Sequence, residues 1–238
     1  MPKICHISDL HGQFTDLPKA DIYVASGDLL DNHPIIVRPK NFYDSRRIID
    51  HAREAEQQAL WFYNNFGHKG HSLREFLGSP DAPVVCVRGN HDFIDLGPLF
   101  GGEVFELDHD PSRTVEYCGL KFGGFRGVNY IYGEWADELS FQELDDRVAR
   151  LPRDLDVVVT HTPPYGVLDG ERHLGLSSLT THLNTILYDL NTEDKLPKLF
   201  CFGHIHESKG LVEKEAWFFD DRKILFSNAS LGKNVIEL

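Results

Sequence analysis

Five short apolar runs, each closing on a glycine-marked or polar stretch, constrain the fold of this chain more than any other feature. They are KICHIS (3–8), DIYVASG (21–27), PVVCVRG (83–89), DVVVTH (156–161) and KLFCFG (198–203). Rich in Val, Ile, Phe and Cys and too short for typical helices, they read as buried strands. Helical patterns lie between some of them. Segment 44–66 brings Ile48, Ile49, Ala52, Leu60 and Tyr63 near helical spacing, with Asp44 or Ser45 as N-cap. Segment 140–151 opens on the capping box Ser140 to Glu143, and 176–190 is a third, more apolar helix. From 103 to 128 the pattern changes to the short strands EVFEL, TVEYC and LKFGGF, and GLVEKEAWFFD with KILFSNA closes the chain as a comparable pair. Alternating β and α units predict an α/β fold with a mainly parallel sheet, and the hairpin-like strands add a second, mixed sheet. No internal repeat, low-complexity tract or linker interrupts the chain, so residues 1–238 read as one domain.

Composition narrows the function. A net charge of −13 disfavours a nucleic-acid coat or an anionic membrane surface. It leaves a small phosphate substrate open, because a bound cation can dominate the field of one site. No apolar run is long enough to span a bilayer. MPKICHISD passes directly into a strand pattern and lacks the features of a signal peptide, so the expected compartment is the cytoplasm. Cys5, Cys86, Cys118 and Cys201 are widely spaced without a CxxC pair, and the first, second and fourth lie in strand-like runs. Core thiols are the expectation.

In open α/β sheets, ligands collect at the carboxyl ends of strands. There this chain places Asp9 and His11 (SDLHG), Asp28 and Asp31 (GDLLD), and Asn90 and His91 (GNHD). His161 (THTPP) and His204 with His206 (GHIH) follow the last two runs. Singly, such residues are more often caps, turn residues or satisfied histidines. His6, His33, His51, His68, His71, His109, His173 and His182 belong to no cluster and read mostly as surface or core fillers. Ligand-type clusters at five consecutive strand ends are a different matter.

The ordered set DLHG, GDLLD, GNHD, TH and GHIH closely resembles the calcineurin-like metallophosphoesterase superfamily, nearest its Icc-related and metallophosphoesterase-domain phosphodiesterases. The resemblance runs from Asp9 to His206 and takes in the later SNAS motif. It implies a sandwich of two mixed β-sheets flanked by helices, with a metal site at the C-terminal ends of the central strands. It also implies two divalent transition-metal ions, Mn foremost, with Fe, Zn or Ni as alternatives. Asp9, His11 and His206 would bind one, Asn90, His161 and His204 the other, and Asp28 both. Carboxylate, imidazole and amide oxygen suit such ions.

The reaction so implied is in-line attack of a metal-bridging hydroxide on a phosphoester, with small nucleotide diesters, cyclic ones included, as preferred substrates. His91 then protonates the departing alkoxide, and Asp31 pairs with it; an Asx turn is the competing role for Asp31. Gly12, Gly27, Gly89 and Gly203 relieve crowding near the metals. Protein phosphatases carry arginine after the GDxxD aspartate, where this chain has Asn32, which disfavours a dedicated protein phosphatase. A phosphomonoesterase and a nuclease are the alternatives, and a non-catalytic scaffold is remote because the ligand set is intact. Arg126 and Tyr165, with Asn90, are candidate substrate contacts; His33, Asn129, Tyr130, Tyr132 and His173 lie in loops that could wall the rim. The oligomeric state is left open.

Overall fold

The computed structural model describes residues 1–31, 36–37, 48–107, 110–129, 131, 135–188, 196–215 and 223–238. The first three apolar runs form β1 (Lys3–Ser8), β2 (Ile22–Ala25) and β3 (Val84–Cys86). There follow β4 (Val104–Glu106), β5 (Thr114–Tyr117) and β6 (Leu120–Phe125). The last two runs form β7 (Val157–Thr160) and β8 (Leu199–Phe202), and the chain closes with β9 (Gly210–Glu215), β10 (Lys223–Asn228) and β11 (Gly232–Glu237).

One sheet has the order β11-β1-β2-β3-β4, the other β9-β10-β8-β7-β6-β5. In the first, β1 to β4 run parallel and β11 pairs antiparallel with β1. In the second, β10, β8, β7 and β6 are parallel, while β9 and β5 are antiparallel edges. Both sheets are therefore mixed.

The central strands β2, β3 and β8 are apolar at every position, β7 at all but Thr160, and β1 is buried beyond Lys3, because both of their faces are covered. Successive side chains point to opposite faces. Ile4, Ile22, Val24 and Val85 of one sheet meet Phe122, Val157, Val159 and Leu199 of the other in the core between the sheets. The alternate residues Cys5, Ile7, Tyr23 and Ala25 face outward, where Trp61 and Phe62 of α1 (His51–Asn65) pack near them. On the far side, Val158, Phe200 and Phe202 meet Leu144 and Val148 of α2 (Phe141–Ala149) and Leu179 and Leu183 of α3 (Ser177–Tyr188). The result is a β-sandwich flanked by helices.

The capping box at Ser140 and Glu143 is present as expected. The start of α1 is not. Its N-cap is Asp50, whose side chain accepts from Arg53 N at 3.2 Å, whereas Asp44 and Ser45 lie outside the described residues. Ile48 and Ile49 are extended and pair with Ile36 and Val37, so they cannot continue the helical face. Leu60 and Tyr63 are exposed, and the residues α1 buries are Glu54 and Gln58. Cys5, Cys86 and Cys201 are buried cysteines outside any disulfide, and Cys118 is exposed. Among the described residues no helix is long and apolar enough to cross a membrane.

Candidate metal centre

The chain leaves β1 and β2 through paired loops. Asp9 N donates to Gly27 O at 2.9 Å, His11 N to Asp28 O at 3.1 Å and Gly12 N to Leu29 O at 2.9 Å. Within these loops Asp9 (φ 53°), His11 (φ 44°) and Asp28 (φ 53°) are left-handed, as is His204 (φ 69°) after β8. That conformation costs a non-glycine residue roughly 1–3 kcal/mol and persists only where the surroundings enforce it. Such outliers concentrate at functional sites, and all four here bear side chains of metal-ligand type. Two glycines make the crowding possible. A Cβ on Gly27, itself at φ 98°, would collide with the Gly89 backbone, and one on Gly203 would overlap Ser8 Oγ and Asp9 Oδ2.

Asp92, to which no role was assigned from sequence, is the pin of this arrangement. Fully buried, it accepts at Oδ2 from Asp28 N (2.7 Å) and Gly89 N (3.0 Å), and at Oδ1 from Leu29 N (3.0 Å) and Leu30 N (3.1 Å). It thereby ties the loop after β2 to the loop after β3. Burial and the adjacent Asp28 carboxylate push it up to about 7 against the pull of the Gly89 and Leu30 amides. The signal in the sequence was the last letter of GNHD, an acidic residue in a loop with no spacing rule attached to it.

Two groups of ligand side chains gather at the rim. Asp9, His11 and His206 form one, and Asp28, His161 and His204 the other, with ligand atoms within 4.8 Å of one another in each. Asp9 accepts from His204 N at 3.0 Å and from Ser230 Oγ at 3.0 Å, and its Oδ1 stands 3.1 Å from His206 Nε2. Ser230 belongs to SNAS and orients this carboxylate. In the second group, His161 Nδ1 donates to Ser26 O at 2.7 Å. A neutral His161 therefore presents the lone pair of Nε2 to Asn90 Oδ1 and Asp28 Oδ2, each 3.2 Å away. Three acceptors converging in a buried place need a positive charge among them.

The electrostatics say the same. Burial opposes a charge on His161, yet Asp28, by its field and its contact, pushes that ring up to about 10. The converse holds for Asp28, where His161 outweighs burial and holds the carboxyl below its ordinary range. Burial and then the His161 charge push His204 down to about 4, while contact with Asp9 raises His206. A site this avid for a proton between carboxylate, amide oxygen and imidazole has the donor chemistry of a divalent-cation site.

The other expected site residues are placed as follows. His91 N donates to Asp28 Oδ1 at 2.7 Å, and the His91 ring lies 5.1 Å from that of His11 and 4.1 Å from that of Trp135. Burial lowers its pKa. Asp31 packs against Gly12 and lines a pocket with Glu54, Gln57, Gln58 and Trp61. Arg126 Nε is 3.1 Å from Asp137 Oδ1, a contact that competes with the phosphate grip expected of it. Tyr165 stands half exposed, its ring 5.3 Å from that of His173, in a loop anchored next to the GHIH turn by Gly170 N donating to Ser208 Oγ. Asn129 Nδ2 donates to Leu174 O at 3.3 Å. Asn32, His33, His109, Tyr130 and Tyr132 lie outside the described residues.

Over 230 residues the chain is 23% identical to UPF0046 protein K07C11.7 of Caenorhabditis elegans, covering 88% of this chain and 65% of that one. UPF0046 protein T07D4.2 of the same organism is 38% identical over 103 residues, 42% of this chain and 24% of its own length. A probable rhamnogalacturonate lyase C of Emericella nidulans is 24% identical over 210 residues, 87% of this chain and 17% of its own. The chain thus spans about two thirds or less of the relatives it matches. The family model for calcineurin-like phosphoesterases matches residues 2–208, from β1 through both histidines of GHIH, and the chain belongs to that family.

Proposed function

We propose that this protein is a metal-dependent phosphoester hydrolase acting on small phosphodiesters. The observation that carries the reading is the pair of three-residue ligand groups, Asp9–His11–His206 and Asp28–His161–His204, at one rim of the sandwich. Asn90 Oδ1, 3.2 Å from His161 Nε2, would join the second group, and Asp28 would serve both ions. Two divalent ions held there, Mn foremost, would supply Lewis acidity toward a phosphoryl oxygen and toward water. Asp9 and Asp28 contribute the negative charge that retains the cations, and Ser26 O, Ser230 and the Asp92-bound amides orient the ligands.

His91 is the proton donor to the leaving group. Burial lowers the pKa of its ring, against the pull of the Asp28 charge. An anionic substrate arriving beside it favours the charged form, and Asp31 is the carboxylate that assists. The preference for diesters over monoesters follows from the cations near the rim. Arg88 is paired with Asp95 and Asp137, and Arg126 Nε stands 3.1 Å from Asp137 Oδ1, so Asp137 competes with a phosphate dianion for both guanidinium groups. The net charge of −13 argues against long nucleic acids as substrates.

A panel with added Mn²⁺ tests the reading: aryl mono- and diesters, 2′,3′- and 3′,5′-cyclic nucleotides, a phosphopeptide and single-stranded DNA. Diester hydrolysis should lead, and His91→Ala should lower turnover by about 10²–10⁴-fold while bound metal is retained. Loss of metal along with turnover would make His91 a ligand. Absence of metal-dependent hydrolysis throughout the panel would leave a scaffold.

A further inference from the structure

Helix α1 buries polar side chains where an amphipathic helix ordinarily buries apolar ones. Gln58 is 1% exposed. Burial of an amide is costly unless both of its ends are bonded, and both are. Gln58 Nε2 donates to His91 O at 2.6 Å, and Gln58 Oε1 accepts from Phe93 N at 2.7 Å. One side chain therefore spans residues 91–93 and holds that backbone to α1. His51, at the start of the same helix, lies edge-on to Phe93 with ring centroids 5.2 Å apart. From the other side, Asp28 Oδ1 takes the His91 amide and Trp135 covers its ring. Trp135 in turn precedes Ala136, whose N–H donates to Asn90 O at 3.0 Å.

We propose that Gln58 is a positioning residue for His91, fixing the 91–93 backbone so that the imidazole stands where the leaving group departs. The proposal rests on His91 being the proton donor. Gln58 itself touches neither phosphate nor ion; it acts through the loop. Orientation is where such a residue has leverage, since a displacement of ~1 Å can cost about 10²-fold in rate. A side chain that merely knit α1 to the sheet would, when replaced, lower activity equally for all substrates. One that positions an acid matters most where the departing oxygen most needs a proton.

The test uses the Mn²⁺-loaded protein and aryl phosphodiesters graded from p-nitrophenyl to unsubstituted phenyl leaving groups. Gln58→Met keeps the length and removes both hydrogen bonds. Gln58→Glu keeps the acceptor for Phe93 N and removes the donor to His91 O, and it decides the matter should Gln58→Met not fold. Both should lower kcat by about tenfold or more on the phenyl ester and much less on the p-nitrophenyl ester, with metal content unchanged. His91→Ala should show the same dependence, and adding a Gln58 substitution to it should cost little more. A uniform loss across the series, or loss of metal with activity, overturns the proposal. If His91→Ala itself shows no leaving-group dependence, the assignment of His91 fails and the proposal with it. If His91→Ala shows it and the Gln58 variants do not, only the positioning role fails.

Discussion

Replacing Asp92 by alanine should strip four backbone amides of their acceptor while leaving every proposed metal ligand in place. The amides of Asp28, Leu29, Leu30 and Gly89 all point at this one buried carboxylate, at 2.7–3.1 Å. A buried donor left unsatisfied costs about 1–3 kcal/mol. Water entering the space of a lost carboxylate recovers part of that, so ~1 kcal/mol per amide gives roughly 4 kcal/mol gross. An opposing effect must be subtracted. Burial and then the Asp28 charge push Asp92 up to about 7, and removing Asp92 relieves a repulsion worth on the order of 1–2 kcal/mol at an effective dielectric near that of partly relaxed protein. The net expectation is a loss of about 2–3 kcal/mol. Urea denaturation of chelator-treated protein reads it directly, as a lower midpoint at constant slope, without the contribution of bound metal to stability. Asp92→Asn sharpens the test. Each carboxylate oxygen accepts from two amides, so the asparagine NH₂ would face two N–H groups it cannot bond. If Asp92→Asn is harmless, or Asp92→Ala costs under about 0.5 kcal/mol, the carboxylate is not the pin that joins the two loops.

His6 bridges the sheets, with Nε2 2.8 Å from Ser26 Oγ and Nδ1 2.7 Å from Ser227 Oγ, and burial pushes it down to about 3. Its unfolded value is near 6.5, so its contribution to stability is complete above that pH and is lost as pH falls toward 3, at up to ~1.4 kcal/mol per pH unit. Urea midpoints from about pH 8 to about pH 5 should therefore decline, and His6→Gln should flatten the decline; an unchanged slope in the variant would assign the titration elsewhere. Metal release should be biphasic under a chelator, because the His206 side chain is 41% exposed whereas that of His161 is fully buried. His206→Ala should abolish the fast phase, and loss of the slow phase instead would reverse the assignment of the two groups.

How much could be read from the chain depended on what the local rules measure. Strands covered on both faces print a dense apolar run, so β1, β2, β3, β7 and β8 stood out. The edge strand β11 buries little beyond Ile236, and its alternation is too weak to see beside that. The start of α1 went astray for a related reason. Apolar periodicity finds a helix face that packs on hydrocarbon, but the buried residues of α1 are Glu54 and Gln58, and Gln58 serves a loop backbone. Nothing in the local sequence announces that partner, which lies 33 residues away. Asp92 is a similar case. Ligand types at strand ends can be enumerated; a carboxylate that holds amides needs the fold before its role exists.

The two histidines of GHIH show the limit most sharply. On a regular strand, residues two apart share a face, and local spacing alone would make His204 and His206 a single chelate. The backbone does not stay regular. His204 is left-handed at φ 69°, Ile205 is extended at φ −101° and ψ 91°, and a 3₁₀ turn begins at His206. The left-handed step swings the first ring toward His161, centroids 5.0 Å apart, and leaves the second 5.5 Å from His11. What holds His204 in that conformation is its own amide, which donates to Asp9 Oδ2 at 3.0 Å, in the other ligand group. Gly203 permits the approach, since any Cβ there would overlap that carboxylate. The strain at His204 and the carboxylate of Asp9 thus depend on each other across 195 residues, and the division of the pair between two ligand groups is a consequence of that long-range contact.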